Sequence, residues 1–352
     1  MNLIFTHHPA DAIGTLLKEA GNPHTMILAD SNTARLCAYP LREACPALAD
    51  APVIIVESGD TNKNIDALRH IWDQMQQLGA TRKSLLVNVG GGMITDMGGF
   101  AAATFKRGIR FFNVPTTLLS AVDAAVGGKT GINFGGLKNE IGVFCDADAV
   151  VISTSWLATL PADELRSGYA EMLKHGLIDS AAEYRKLLEF DIAAADFTGL
   201  LPLVERSVMV KKRVVEEDPR EHGIRRALNL GHTAGHAFES LAMRRNRPVP
   251  HGYAVAWGLV VDLILSHMRL GFPSELVHEL TGYVRRVYGV IPVKCDDYPE
   301  LMELMSHDKK NASPGAINFT LLDEPGAVHI DCIVETREIE AALDLFRDLL
   351  GI

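Results

Sequence analysis

Up to about residue 153 the chain alternates short apolar runs rich in β-branched residues with segments whose apolar positions recur at helical spacing. The runs TMILA, PVIIVES, SLLVNVG, RFFNVPT and AVVIST predict strands, and NIDALRHIWDQMQQLG predicts an intervening helix. Such alternation predicts a parallel sheet with helical crossovers, the architecture of dinucleotide-binding domains. Beyond residue 153 the apolar spacing turns helical, as in ADELRSGYAEMLKHGLI, LLPLVERSVMVKKRVVEED, HGYAVAWGLVVDLILSHM and TREIEAALDLFRDLL. One β-rich interruption, AINFTLLDEPGAVHID, reads as a hairpin turning at Pro325 and Gly326. The expected fold class is therefore α/β, with a Rossmann-like parallel-sheet domain over 1–153 and a mainly helical domain over 154–352. No internal repeat or low-complexity tract interrupts this plan.

Composition narrows the class. At 352 residues and 47% hydrophobic, the chain can bury a sizeable core in two domains. No apolar run approaches the roughly 20 residues of a membrane span. The start, MNLIFTHHPAD, lacks the basic and apolar regions of a signal peptide. A soluble, cytoplasmic protein with no membrane partner is expected. The five cysteines, Cys37, Cys45, Cys145, Cys295 and Cys332, are scattered with no CxxC pair, so they are read as mostly buried thiols rather than a disulfide framework or thiolate metal site. A net charge of −10 argues against a nucleic-acid partner, so any bound anion needs a local basic pocket.

Three segments carry candidate chemistry. In NLGHTAGHAFES, His232 and His236 lie four residues apart on one helix face and could converge on a divalent cation. With 13 histidines in the chain, the same spacing also suits two hydrogen-bonded surface imidazoles. Glu171, on another helical stretch with Lys174 one turn later, and His251 in HGYAV add a carboxylate and a third imidazole, the makings of a metal site with an open position. In NVGGGMITDMGGFAAATFKRG a strand meets three glycines and then a helix, so backbone N–H groups can approach a pyrophosphate. The order is not G-x-G-x-x-G, and a tight strand-to-helix turn is the plainer alternative. The loops ADSN and SGDTNK place Asp30, Asp60 and Lys63 at the same predicted sheet edge. In VPTTLLSAVDAAVGGKTGINFGGLKNEIGVF, Lys129, Lys138 and Asn139 sit on glycine-rich loops suited to a phosphate or carboxylate, or are simply solvated.

Taken together, GGGMITDMGGFAAATFKRGIRFFNVPTTLLSAVDAAVGGKTGIN, GYAEMLKHGLI, KKRVVEEDPREHGIRRALNLGHTAGHAFE, HGYAVAWG and HDKKN resemble, in order and spacing, the motifs of the 3-dehydroquinate synthase family over residues 30–322. The resemblance implies conversion of 3-deoxy-D-arabino-heptulosonate 7-phosphate to 3-dehydroquinate and phosphate, in the shikimate route to aromatic amino acids. The implied course is transient NAD-dependent oxidation, phosphate elimination, re-reduction and aldol ring closure, in a cleft between the two domains of a homodimer. It implies NAD and a divalent metal, Zn2+ or alternatively Co2+, held by Glu171, His232 and His251, which moves His236 from the metal to the substrate. Implied substrate contacts are Arg107, reaching over from a second subunit, Asp123, Lys129, Asn139, Glu171, Lys174, Lys211, Arg225, Asn229, His236, His251 and one of Lys309 and Lys310. The implied catalytic groups are Glu221, as proton acceptor, with His236, Lys174 and Lys129. Asp30, Asn32, Asp60, Lys63, Gly91, Gly92, Met93, Asp96, Thr116, Thr117, Lys138 and Trp156, Leu157, Ala158 and Thr159 would bind the cofactor.

The chain departs from the family pattern at Ala124 and Ala125, where two serines are frequent, at Leu137 in place of a glycine, and at Tyr253 in place of a glutamate. None of these removes an assigned ligand. Other sugar phosphate cyclases tend to vary at the positions of Lys211, Asn229 and His236, all retained here. Metal-dependent alcohol and glycerol dehydrogenases share the two-domain plan but release reduced cofactor, and a non-catalytic descendant has no need of the full polar set.

Overall fold

The structure is a computed structural model describing residues 1–194, 196–306 and 317–352. Lys309 and Lys310 lie outside the described residues. The chain forms two compact units, Met1–Pro161 with Ala195–Val208, and Ala162–Ala194 with Met209–Ile352.

The first unit contains strands β1 (Asn2–Phe5), β2 (Thr25–Asp30), β3 (Val53–Val56), β4 (Leu85–Gly90), β5 (Arg110–Pro115), β6 (Lys129–Phe134), β7 (Leu137–Phe144) and β8 (Ala149–Ile152). Six of them form one sheet in the order β1-β8-β5-β4-β2-β3, with every pair parallel. The apolar runs read as strands are found here. All residues of β2 and β4 are buried, as a parallel sheet with both faces covered requires. From β2 the chain moves to one edge at β3, while β4, β5 and β8 build the sheet the other way. This reversal makes the C-terminal ends of β2 and β4 a topological switch point, where doubly wound sheets take their ligands.

Two features depart from the sequence reading. β1 adds an edge strand beside β8 that its four residues were too few to signal. The segment read as glycine-rich loops is instead an antiparallel hairpin, β6 with β7, turning at Gly135 and Gly136. All eight residues of β7 are exposed, so it has no buried face and no hydrophobic alternation to announce it.

The second unit is mainly helical, with the expected hairpin formed by β9 (Ile317–Glu324) and β10 (Ala327–Val334). Its central helix is His251–Leu270. By length and a mean hydropathy of 1.3 this helix could cross a membrane, contrary to the reading that no run approaches that length, yet 72% of its apolar window is buried within the protein. It is a core helix whose apolar run is broken by Asp262 and Ser266. Two glycines on it permit close packing. A Cβ at Gly252 would overlap the Ser167 carbonyl on helix Ala162–Asp179, and one at Gly258 would overlap the Gly231 carbonyl at the start of helix His232–Arg244. These two contacts draw three helices together.

The cysteine reading needs correction. Cys37 and Cys45 are buried, but Cys145 and Cys332 are half-buried and Cys295 is exposed; all five are free.

Candidate functional site

Three helices of the second unit carry Glu171, in the middle of Ala162–Asp179, and His232 and His251, each at the start of its helix. Glu171 is fully buried, and the Nε2 atoms of His232 and His251 each lie 3.5 Å from its Oε1. One ligand atom from each residue falls within 4.8 Å of the others. The carboxylate also pairs with the buried ammonium of Lys174, one turn along the same helix. The His236 ring is close by, 5.3 Å from that of His232 and 5.8 Å from that of His251, but the group within ligand distance is Glu171, His232 and His251. Spacing along the chain points to His236, whereas the imidazole grouped with His232 and Glu171 at ligand distance comes from another helix.

The donor set suits a divalent cation. His232 uses Nδ1 on the Leu230 carbonyl at 3.0 Å, and His251 uses Nδ1 on the Glu239 carboxylate at 3.1 Å. Each acceptor favours the tautomer protonated at Nδ1, which leaves the Nε2 lone pair for a metal. Two imidazoles and a carboxylate are the ligands of a site that keeps an open position. Sequence reasoning missed Glu239, although it lies on the His232 face, seven residues along the helix.

Burial lifts the Glu171 carboxyl, but Lys174 and the two histidines outweigh it and hold it well below the usual carboxylate range. Burial likewise lowers His251, but hydrogen bonds to Glu171 and Glu239 outweigh it and push the imidazole up to about 9. A group raised above its ordinary 6.5 holds its proton through neutral pH and loses it as pH passes 9. A cation must displace that proton. Zinc affinity is therefore expected to rise about tenfold per pH unit between pH 7 and 9, with proton release on binding. Calorimetry in buffers of different ionisation enthalpy measures this; pH-independent affinity would contradict it.

The neighbouring polar groups divide by burial. Lys211 is 6% exposed and Arg225 is 3% exposed, so neither is an ordinary surface cation. Arg225 lies in the short helix Ile224–Asn229, which also carries half-buried Asn229, and its guanidinium donates to the Pro219 carbonyl at 2.7 Å. Glu221 is half-buried in the preceding loop, with a left-handed backbone at φ 62°.

In the first unit the switch point gathers the candidate nucleotide residues. β2 ends at Asp30, whose carboxylate accepts from the N–H groups of Asn32 and Thr33, both at 2.9 Å. β4 ends at the glycines, and helix Gly92–Thr104 begins on Gly91 with no side-chain cap. Its first N–H groups and positive dipole end stay open to an anion such as a pyrophosphate. Met93 is in that first turn, and the Thr117 side chain would lie 3.1 Å from a Cβ at Gly91. Buried Lys63 reaches Asp96 at 2.6 Å and donates to the Asn139 side chain, while Lys138 lies 3.9 Å from Asp60. Asn133, also missed from sequence, ties this group together: its amide donates to the Asp60 carbonyl at 3.0 Å and accepts from the Asn139 N–H at 2.9 Å. Lys129, Lys138 and Asn139 thus stand on hairpin strands, and Lys129 is exposed. Asp123 lies in a π-helical turn, Ser120–Ala124. Helix Thr154–Thr159 packs Trp156 on the core and buries Leu157, with Ala158 exposed. Thr116 and Thr159 both hydrogen-bond the Cys37 thiol, which burial pushes up to about 11. Arg107 is on an exposed turn beside Thr81, Arg82 and Lys106.

Comparison with known proteins identifies the family. Family models described as 3-dehydroquinate synthase N-terminal and C-terminal match residues 53–167 and 168–311. A 3-dehydroquinate synthase of Parabacteroides distasonis is 53% identical over 326 residues, 93% of this chain and 92% of that protein. Among solved structures, a 2-deoxy-scyllo-inosose synthase complexed with carbaglucose-6-phosphate, NAD+ and Co2+ gives a TM-score of 0.82 at 23% identity, covering 98% of this chain and 96% of that one. A 2-epi-5-epi-valiolone synthase from Streptomyces hygroscopicus subsp. jinggangensis, with NAD+ and Zn2+ bound, also gives 0.82, at 24% identity, covering 99% and 96%. These two share the fold, and the sequence matches decide the family: the chain belongs to the 3-dehydroquinate synthases.

Proposed function

We infer that the protein converts 3-deoxy-D-arabino-heptulosonate 7-phosphate to 3-dehydroquinate and phosphate, in the cytoplasm, with NAD and a divalent cation, Zn2+ ahead of Co2+. The observation that carries this reading is the convergence of Glu171, His232 and His251 in a member of this family. When bound, the cation supplies a Lewis acid at a substrate oxygen and NAD a reversible hydride acceptor. We assign the cation to Glu171, His232 and His251. NAD is assigned to Asp30, Asn32, Asp60, Lys63, Gly91, Gly92, Met93, Asp96, Thr116, Thr117, Lys138 and the turn from Trp156 to Thr159.

The remaining residues bind and move protons. Lys129, Lys174, Lys211 and Arg225 hold phosphate and carboxylate by charge-assisted contacts, with Asp123, Asn139 and Asn229 setting the orientation of the hydroxyls. One of Lys309 and Lys310 adds a further cation to the phosphate. Glu221 accepts a proton, and His236 exchanges one with the substrate. In the proposed homodimer Arg107 serves the phosphate bound by its partner.

Release of inorganic phosphate from the heptulosonate phosphate, measured with and without NAD and zinc, tests the reading. Phosphate and 3-dehydroquinate are expected in equal amounts only when both are present, and no release under full loading would end the proposal. Because hydride leaves and returns within one turnover, NAD at catalytic amounts is expected to suffice, with no build-up of NADH absorbance. Stoichiometric NADH would place the chain with the dehydrogenases instead.

A further inference from the structure

Asp218 follows directly on helix Phe197–Glu217, behind Glu216 and Glu217. A carboxylate there faces the negative end of the helix dipole and two like charges, so the position disfavours it. Three backbone donors compensate. Oδ1 accepts from the His222 N–H at 3.0 Å, and Oδ2 accepts from Gly223 at 2.6 Å and Arg225 at 3.2 Å. Desolvation raises this carboxyl, but the three N–H groups together outweigh it and hold it below its ordinary range.

The loop so gathered is unusual for what it carries. Glu221 adopts a left-handed backbone, a conformation that a bulky residue keeps only where its surroundings enforce it. Its N–H points back to the Asp218 carbonyl at 3.4 Å, and the Arg225 guanidinium closes the ring on Pro219. A turn needed only to connect two helices would be served by glycine at 221 and by a cation or glycine at 218. Here an unfavourably placed carboxylate organises a strained glutamate and a buried arginine.

We propose that Asp218 is a positioning residue, whose carboxylate sets the loop 218–225 so that Glu221 and Arg225 meet the sugar phosphate in register. This rests on the roles proposed above for those two residues. Asp218 itself touches neither the cation ligands nor the nucleotide residues among its hydrogen-bond partners.

The test is Asp218→Asn in the full-length protein loaded with zinc and NAD, beside Glu217→Gln as an exposed neighbouring control. Asparagine keeps the shape but offers one accepting oxygen in place of two. In Asp218→Asn the amides of His222, Gly223 and Arg225 are expected to lose protection from hydrogen exchange. Its kcat is expected to fall and its KM for the sugar phosphate to rise, together roughly ten- to a hundredfold in kcat/KM. Bound zinc, KM for NAD and thermal stability should stay as in Glu217→Gln, which should match the unmodified protein. Retained amide protection would overturn the proposal, as would unchanged kinetics with protection lost. A parallel fall in zinc content and NAD affinity would equally overturn it, since that marks general structural damage. If the unmodified protein releases no phosphate, the proposed activity fails separately, and amide protection still decides whether Asp218 holds the loop.

Discussion

His251→Ala is expected to lose zinc and turnover together while keeping its fold. His251 is half-buried at the start of its helix, and its two ring nitrogens face Glu171 and Glu239. Deleting the imidazole leaves the Glu171 carboxylate with Lys174 and His232, so no buried charge is orphaned. Zinc affinity should fall by more than the roughly 10–100-fold typical of losing an outer partner such as Glu239. Metal analysis after gel filtration and phosphate release are the measurements. Full zinc occupancy with near-normal turnover would sink the assignment. Glu171→Ala is a poorer test, because it would strand the buried Lys174 ammonium and cost on the order of 3–5 kcal/mol of folding energy.

Arg225→Lys should cut kcat/KM by roughly ten- to over a hundredfold, the worth of one charge-assisted contact of about 1.5–3 kcal/mol. The substitution keeps the charge but removes the planar fork that engages an oxyanion through two parallel bonds. Arg225 is buried and also donates to Pro219, so a small stability loss of about 1 kcal/mol should accompany the kinetic one. Wild-type kinetics in this variant would mean that Arg225 is not a substrate ligand. Lys129, exposed on its hairpin strand, offers a contrast: its neutralisation should leave stability unchanged and act on kinetics alone.

The local plan of the chain was legible without coordinates wherever one face of an element is buried. The β-branched runs from Thr25 to Ile152 are strands because burial on both faces leaves nearly unbroken apolar runs, and the apolar spacing from Ala162 onward marks helices because burial of one face recurs every 3.6 residues. The strand-to-glycines-to-helix order of NVGGGMITD likewise announced the bare helix start at Gly91. The hairpin of β6 and β7 left no such trace, since β7 buries nothing, and so Lys138 and Asn139 were placed on loops. Asn133 and Asp218 were silent for a related reason. Their amide and carboxylate act on backbone groups, and a backbone N–H has no residue type to read.

The sequence by itself determined the elements, the family motifs and the residue types of the candidate metal site. Only the tertiary structure decided which of them meet. His232 and His236 share a helix face at four-residue spacing, yet His251 joins Glu171, because Gly252 lets its helix start press on Ser167, one turn before that carboxylate. Spacing along a helix is a local property fixed by 3.6 residues per turn. Convergence of ligands from three helices depends on how closely those helices pack, and that is set by the small residues at their contacts and the core behind them.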